Sequence, residues 1–280
     1  MCGFGHEINY FSTLNTECGT VFDMINFCFG MMSGNFLGVL VEWCAGMKFG
    51  LERCGMKFGH IGDLHIGKRV HDFSMLEDQR YILNQMIKIF EEQKVDGVLI
   101  AGDVYDKTVP SAEAVQLFDE FITGLAKAKI PVYMISGNHD SAERLSFGAK
   151  LFESSDIYIS QVYDGEMKRI VLKDQYGPIS VYLLPFLKPA AVRHALQRDD
   201  INTYEEGVMA ALQECEIDTT QRNVLVAHQF VTGADRSDSE ETWVGGLDNV
   251  SAEVFKDFDY VALGHIHRAQ RIGKRQCYYS

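Results

Sequence analysis

The chain has 280 residues, of which 46% are hydrophobic, 11% aromatic and 23% charged, with only 5 Pro. That excludes a disordered, collagen-like or coiled-coil protein and leaves room for one large or two small domains with a buried core. The 39 Asp and Glu against 26 Lys and Arg give a formal charge of −13, which argues against a broad basic face for nucleic acid; a phosphate-bearing substrate would need local positive charge, and bound metal can supply it.

The first 55 residues stand apart. Five of the 7 cysteines (Cys2, Cys18, Cys28, Cys44, Cys54) precede Met56, and no Lys or Arg occurs before Lys48. The apolar residues there keep neither a helical nor an alternating period for long. Residues 24–41 are uncharged, a marginal membrane-span length, but Asn26, Ser33, Asn35 and the glycines weaken that reading. No C-x-x-C pair suggests a zinc module, and the later chain holds only Cys215 and Cys277, as suits the reducing cytoplasm. Gly46-Met47-Lys48-Phe49-Gly50 recurs as Gly55-Met56-Lys57-Phe58-Gly59. We therefore expect 1–55 to be a non-native or disordered extension, Met56 to be the natural start, and 56–280 to be the working domain.

From Met56 onward a strand–loop–helix rhythm sets in. Residues 57–61 form a short apolar strand, and 75–93 place Leu76, Leu83, Met86, Ile87 and Phe90 at helical spacing. Residues 95–101 read as a buried strand ending at Gly102. Ser111 is a candidate N-cap for a helix with the stripe Val115, Phe118, Phe121, Ile122 and Leu125, and 132–135 is a strand after Pro131. Residues 157–163, 168–172 and 179–184 resemble successive strands of a mixed or antiparallel sheet. A helix over 203–215, a strand at 224–227, a polar loop over 232–249 and a strand at 261–263 follow. The pattern is that of an α/β protein with at least one helix-covered sheet.

Five strand ends carry metal-capable side chains: Asp63-Leu64-His65, Gly102-Asp103-Val104-Tyr105-Asp106, Gly137-Asn138-His139-Asp140, His228, and Gly264-His265-Ile266-His267. Loops beyond strand ends are where α/β folds build sites. In an extended segment residues i and i+2 share a face, so Asp63 with His65, and His265 with His267, can enter one cavity. A lone His or a Gly-Asp turn is commonplace; five such ends together are not. Carboxylate, imidazole and amide ligands without thiolate suit Mn²⁺ or Fe²⁺ and are compatible with Zn²⁺. Seven ligands suit two ions about 3.5–4 Å apart sharing a bridging carboxylate, the arrangement that clamps an in-line phosphoryl displacement. Two divalent ions against two carboxylates leave local positive charge in an acidic protein.

Together the motifs D-x-H, G-D-x-x-D, G-N-H-D, a lone His after a strand, and G-H-x-H resemble the calcineurin-like metallophosphoesterase superfamily. Within it, the runs 58–67, 102–106 and 136–141 resemble the SbcD family of bacterial exonuclease subunits. The resemblance covers about residues 56–280 and implies a four-layer αββα sandwich of two mixed sheets flanked by helices. It implies one metal held by Asp63, His65 and His267, a second by Asn138, His228 and His265, and Asp103 bridging both. It also implies His139 as proton donor or charge stabiliser and Asp106 as the residue that orients its ring. The implied activity is a Mn²⁺-dependent DNA nuclease, 3′–5′ exonuclease on duplex ends and endonuclease on single strands or hairpins. It would serve DNA repair and recombination with an SbcC-type ATPase, as a homodimer within a heterotetramer, without membrane attachment. SbcD proteins continue into a capping domain and an SbcC-binding region, so we expect this chain, which stops inside a strand, to be weak or inactive alone.

Gly62-x-x-x-x-Gly67-Lys68-Arg69 nearly spells a Walker A loop, but Arg69 stands where Ser or Thr should bind Mg²⁺ and Asp63 has the wrong charge. Lys68 and Arg69 can touch a substrate phosphate or simply be solvated. His60 reads as structural and His71 as surface. The alternatives are a phosphoprotein phosphatase or a cyclic-nucleotide phosphodiesterase of the same superfamily, and a non-catalytic scaffold. Phosphatases carry Arg-Gly after the second Asp and Glu after G-N-H, where this chain has Lys107 and Asp140. A scaffold would have lost ligands.

Overall fold

The computed structural model describes residues 20–31, 34–45, 55–71, 73–235, 249–273 and 276–280. Strands β1 (Thr20–Met31) and β2 (Gly34–Ala45) pair antiparallel, and β2 pairs antiparallel with β3 (Lys57–Ile61). Part of the segment set apart in the sequence thus has regular structure, and the uncharged run 24–41 is spread over two strands. Residues 1–19 and 46–54 of that segment lie outside the described residues. No helix among the described residues is long and apolar enough to cross a membrane.

A small hairpin of β4 (Arg69–Val70) and β5 (Phe73–Ser74) precedes α1 (Leu76–Gln93). Helix α1 buries Ile82, Leu83, Met86 and Phe90 and stops at Lys94, whose left-handed backbone returns its N–H to the last turn. Strand β6 (Gly97–Ala101) is buried throughout. Helix α2 (Ala112–Lys127) is capped as expected, the Ser111 hydroxyl accepting from Ala114 N at 3.3 Å. Its buried face is Ala114, Leu117, Phe118, Phe121 and Leu125, while Val115 is 45% exposed. The expected stripe was therefore displaced at its start by one residue, about 100° around the helix.

Strand β7 (Val132–Ile135) leads through the single turns α3 (Ala142–Leu145) and α4 (Ala149–Phe152) to β8, confined to Ile157–Ile159. The second half contains the hairpin β9 (Lys168–Asp174) and β10 (Gly177–Leu183), then α5 (Pro189–Leu196) and α6 (Tyr204–Gln213). There follow β11 (Arg222–His228), β12 (Phe230–Val231), β13 (Asn249–Val250), β14 (Tyr260–Gly264), β15 (Gln270–Ile272) and β16 (Cys277–Tyr279). Most of the polar loop expected over 232–249 lies outside the described residues. Cys215 and Cys277 are not in a disulfide.

Two six-stranded mixed sheets result, ordered β1-β2-β3-β6-β7-β8 and β15-β16-β14-β11-β10-β9. Alternation along each strand divides the core into three. In β6, Leu99 and Ala101 face the second sheet, meeting Val181, Val224, Val226 and Ala262, while Val98 and Ile100 pack under α1 and α2. In β11, Val224 and Val226 join the layer between the sheets, whereas Leu225 and Ala227 pack beneath α5 and α6 with Val192 and Val208. The order is helix, sheet, sheet, helix. Because β3, β6 and β7 run parallel, as do β11 and β14, their C-terminal ends gather at one edge of each sheet.

Candidate metal centre

The loops after β3 and β6 keep pairing beyond the strands. Asp63 N donates to Gly102 O at 3.1 Å, His65 N to Asp103 O at 2.9 Å, Ile66 N to Val104 O at 2.9 Å and Asp106 N to Ile66 O at 3.2 Å. Gln79 of α1, 1% exposed, clamps the same loop, donating to His65 O at 2.8 Å and Leu64 O at 3.3 Å and accepting from Gly67 N at 2.9 Å. A buried amide with three backbone partners leaves the loop little freedom.

Asp63, His65, Asp103 and His265 have φ of 53°, 42°, 48° and 98°, left-handed conformations that are costly for such residues and concentrate at functional sites. Asp63 with His65, and His265 with His267, do enter one centre, as the spacing suggested, but through left-handed rather than extended backbone. Left-handed turns aim each one separately, and His265 and His267 join different groups. Close approach also requires glycine: a Cβ on Gly137 would lie 2.1 Å from Asp103 Oδ1, and one on Gly264 would lie 2.0 Å from Ala101 O.

All seven residues assigned to metals in the sequence come together. Ligand atoms of Asp63, His65 and His267 lie within 4.8 Å of one another, as do those of Asp63, Asp103 and His228, and of His65, Asp103 and His139. Nε2 of His65 is 3.1 Å from Nε2 of His267, and His267 is 3.8 Å from Asp63. Around Asn138, Oδ1 is 2.9 Å from both His228 Nε2 and His265 Nδ1. Asp103 Oδ2 lies between the groups, 3.4 Å from His228 and 3.8 Å from His65. Backbone N–H groups orient both carboxylates: His139 N donates to Asp103 Oδ1 at 2.8 Å, and His265 N to both oxygens of Asp63 at 3.0 Å. His228 Nδ1 is turned to Ala101 O at 2.8 Å, leaving Nε2 for the centre.

One expected contact is made differently. His139 Nδ1 lies 3.1 Å from the backbone carbonyl of Asp106, while the Asp106 carboxylate is 3.8 Å from His65 Nδ1. The N–H of Asp106 is bound to Ile66 O, which sets its side chain on the His65 side. It is therefore the main chain of Asp106 that faces the His139 ring.

The electrostatics of the cluster suit a cation. Burial pushes His65 and His265 down to about 3, leaving neutral rings with lone pairs. Burial opposes ionisation of Asp103, but the charge and hydrogen bond of His228, with His65 and His139, hold its carboxyl well below the usual range. Burial likewise opposes protonation of His228, yet Asp103, Asp63 and the Ala101 carbonyl raise it to about 9. A proton on Nε2 and a metal ion would compete for the same position. Nδ1 of His65 is buried without a hydrogen-bond partner. Two carboxylates, one amide oxygen and four imidazoles fit two divalent ions of the Mn²⁺, Fe²⁺ or Zn²⁺ class.

Two residues given no role in the sequence help build the site. Gln79 is one. The other is Asp140, whose carboxylate accepts from Val104 N at 3.1 Å, Tyr105 N at 2.9 Å and Gly137 N at 2.9 Å, tying the β6 and β7 loops together. Their partners are main-chain groups, which no side-chain pattern displays. His60 is structural, fully buried between Tyr260 Oη at 3.0 Å and Leu263 O at 3.2 Å. His71 is exposed, and the Gly67 loop runs into β4 rather than a helix, as a phosphate-binding loop would not.

The family model for calcineurin-like phosphoesterases matches residues 56–269. The chain belongs to the calcineurin-like phosphoesterases. This phosphoesterase is 36% identical over 229 residues to the D component of the SbcCD nuclease from Staphylococcus epidermidis, an alignment covering 80% of this chain and 60% of that protein. The chain thus spans about 60% of that relative's length. It also matches a crystal structure of a dimetal phosphatase from Danio rerio at 13% identity and a TM-score of 0.46, covering 80% of this chain and 86% of the other. Metal-dependent hydrolysis of phosphate esters is the chemistry of the family, and the cluster is its dinuclear site.

Proposed function

We propose that this phosphoesterase is a Mn²⁺-dependent DNA nuclease, a 3′–5′ exonuclease on duplex ends and an endonuclease on single strands or hairpins. It would act in cytoplasmic DNA repair and recombination beside an SbcC-type ATPase, as a homodimer within a heterotetramer. The observation that carries the chemistry is Asp103 Oδ2 standing between the His65 and His228 nitrogens, where one carboxylate can serve both ions. The choice of DNA is supported by the 36% identity to a nuclease component.

Asp63, His65 and His267 would hold one ion, Asn138, His228 and His265 the other, and Asp103 both. When bound, the ions polarise a phosphoryl oxygen and lower the pKa of water. The protein's own part is to orient and to move a proton. His139 is exposed at the rim, with Nδ1 facing the Asp106 carbonyl. A proton on Nδ1 donates to that carbonyl, and in the imidazolium form a second proton on Nε2 faces the scissile phosphate and can pass to the leaving oxygen, which leaves the neutral ring still held through Nδ1.

The test is incubation of the purified chain with Mn²⁺ and end-labelled duplex, hairpin DNA, a phosphoprotein and a cyclic nucleotide, with and without an SbcC-type ATPase. Metal-dependent shortening of DNA is the expected result. Turnover of phosphoprotein or cyclic nucleotide with DNA left intact under both conditions would overturn the assignment.

A further inference from the structure

Phe186 lies between β10 and α5 and belongs to none of the three apolar cores. Its ring is set against other rings. It lies nearly parallel to His265, 6.5 Å between centroids and 18° between planes, and edge-on to His228 at 6.1 Å and 85°. Tyr204 flanks it at 5.9 Å, and Phe230 stands at 6.5 Å from His265. The backbone N–H of Phe186 donates to Ser136 O at 2.9 Å, anchoring a loop of the second sheet to the end of β7, two residues before Asn138.

The two histidines it touches meet each other at 5.2 Å, and they are the pair whose nitrogens converge on Asn138 Oδ1. The other group is packed differently: His65 stands against His139 at 4.9 Å and His267 at 5.0 Å. An imidazole free to rotate must be frozen when it takes up a metal, and groups that fix ligand orientation raise affinity.

We propose that Phe186 is a positioning residue for one ion of the pair: its ring holds His228 and His265 in the orientation in which they and Asn138 converge. The inference rests on the dinuclear reading above but not on the choice of DNA as substrate. Phe186 sets the affinity of the Asn138-side ion without touching it, and leaves the Asp63–His65–His267 side alone.

The experiment is a calorimetric titration of the full chain with Mn²⁺ alone, followed in parallel by manganese electron paramagnetic resonance. The wild type is compared with Phe186→Leu and Phe186→Tyr. Leucine keeps an apolar side chain but has no flat face, and tyrosine restores it. The wild type should take up two ions. Phe186→Leu should keep one affinity within about twofold and lose the other by about 10- to 100-fold, the range of outer-shell changes, and Phe186→Tyr should recover it. The uncoupled manganese signal should grow in the leucine variant as the second ion leaves. Should leucine prevent folding, Phe186→Met is titrated in its place. Two undiminished ions, or equal weakening at both sites, overturns the proposal. A wild type that binds fewer than two ions sinks the dinuclear reading itself, and this inference with it.

Discussion

Asp103 accepts the backbone N–H of His139 through Oδ1 at 2.8 Å, which commits one carboxylate oxygen to the loop and turns the other toward His65 and His228. A residue so placed serves both ions or neither. Asp103→Asn keeps the shape, but its amide must put either an NH₂ group against the His139 N–H or one between the two ions. We expect Mn²⁺ occupancy to fall at both sites, by more than the roughly 10- to 100-fold typical of outer-shell substitutions. Metal analysis after desalting checks this, and full occupancy of either site would exclude the bridging role.

His139 should separate binding from turnover. Its ring is exposed and is held through Nδ1 by a main-chain carbonyl; it packs on His65 at 4.9 Å, but its bond to Asp103 comes from the backbone N–H, which alanine keeps. His139→Ala should retain both metals and lower cleavage of end-labelled duplex by about 10²- to 10⁴-fold, the usual contribution of a positioned acid or base. A variant with normal cleavage, or one that loses metal in step with activity, would contradict that assignment.

Gly137 is a steric requirement. A methyl there would lie 2.1 Å from Asp103 Oδ1 and 2.4 Å from Asp103 N, so Gly137→Ala must separate the β6 and β7 loops. Overpacking of this kind costs about 1–3 kcal/mol, and here the displacement falls on a metal carboxylate. We expect a lower unfolding midpoint together with loss of bound Mn²⁺. Normal metal content with only a stability change would mean that the loops have slack the contacts do not suggest.

The strand ends were legible because they are local: a buried run, a glycine, then Asp, Asn or His within a few residues, repeated after β3, β6, β7 and β14, while β11 ends on His228 with no glycine. What joins them is long-range and main-chain in character. Nothing in Asp63 or His265 as residue types announces a left-handed backbone, and Asp140 and Gln79 bind peptide groups that leave no pattern. Helix α5 was legible in principle, since Pro189 stands in its first turn, yet eight residues carry too little period to outweigh the loop around them. The stripe of α2 slipped at Val115 because apolar residues at neighbouring positions offer two faces of nearly equal hydrophobicity, and packing against β6 and β7 decides between them.

His60 makes the pH dependence testable away from the metals. Burial pushes its pKa down to about 3 from an ordinary 6.5, and the neutral ring can donate from Nε2 to Leu263 O and accept at Nδ1 from Tyr260. The folded chain therefore resists a proton that the unfolded chain takes up below about pH 6.5. Stability from this group is complete above that value and falls as pH drops from about 6.5 toward 3, by about 1.4 kcal/mol per unit for one proton. His65 and His265 add to the slope in the wild type, so the informative quantity is the difference from His60→Gln, which retains both. We expect the variant to be less stable at pH 7.5 but to lose stability less steeply between pH 6 and 4, by close to one proton. Urea unfolding at a series of pH values measures it, and parallel slopes would mean that His60 does not stay neutral in the fold.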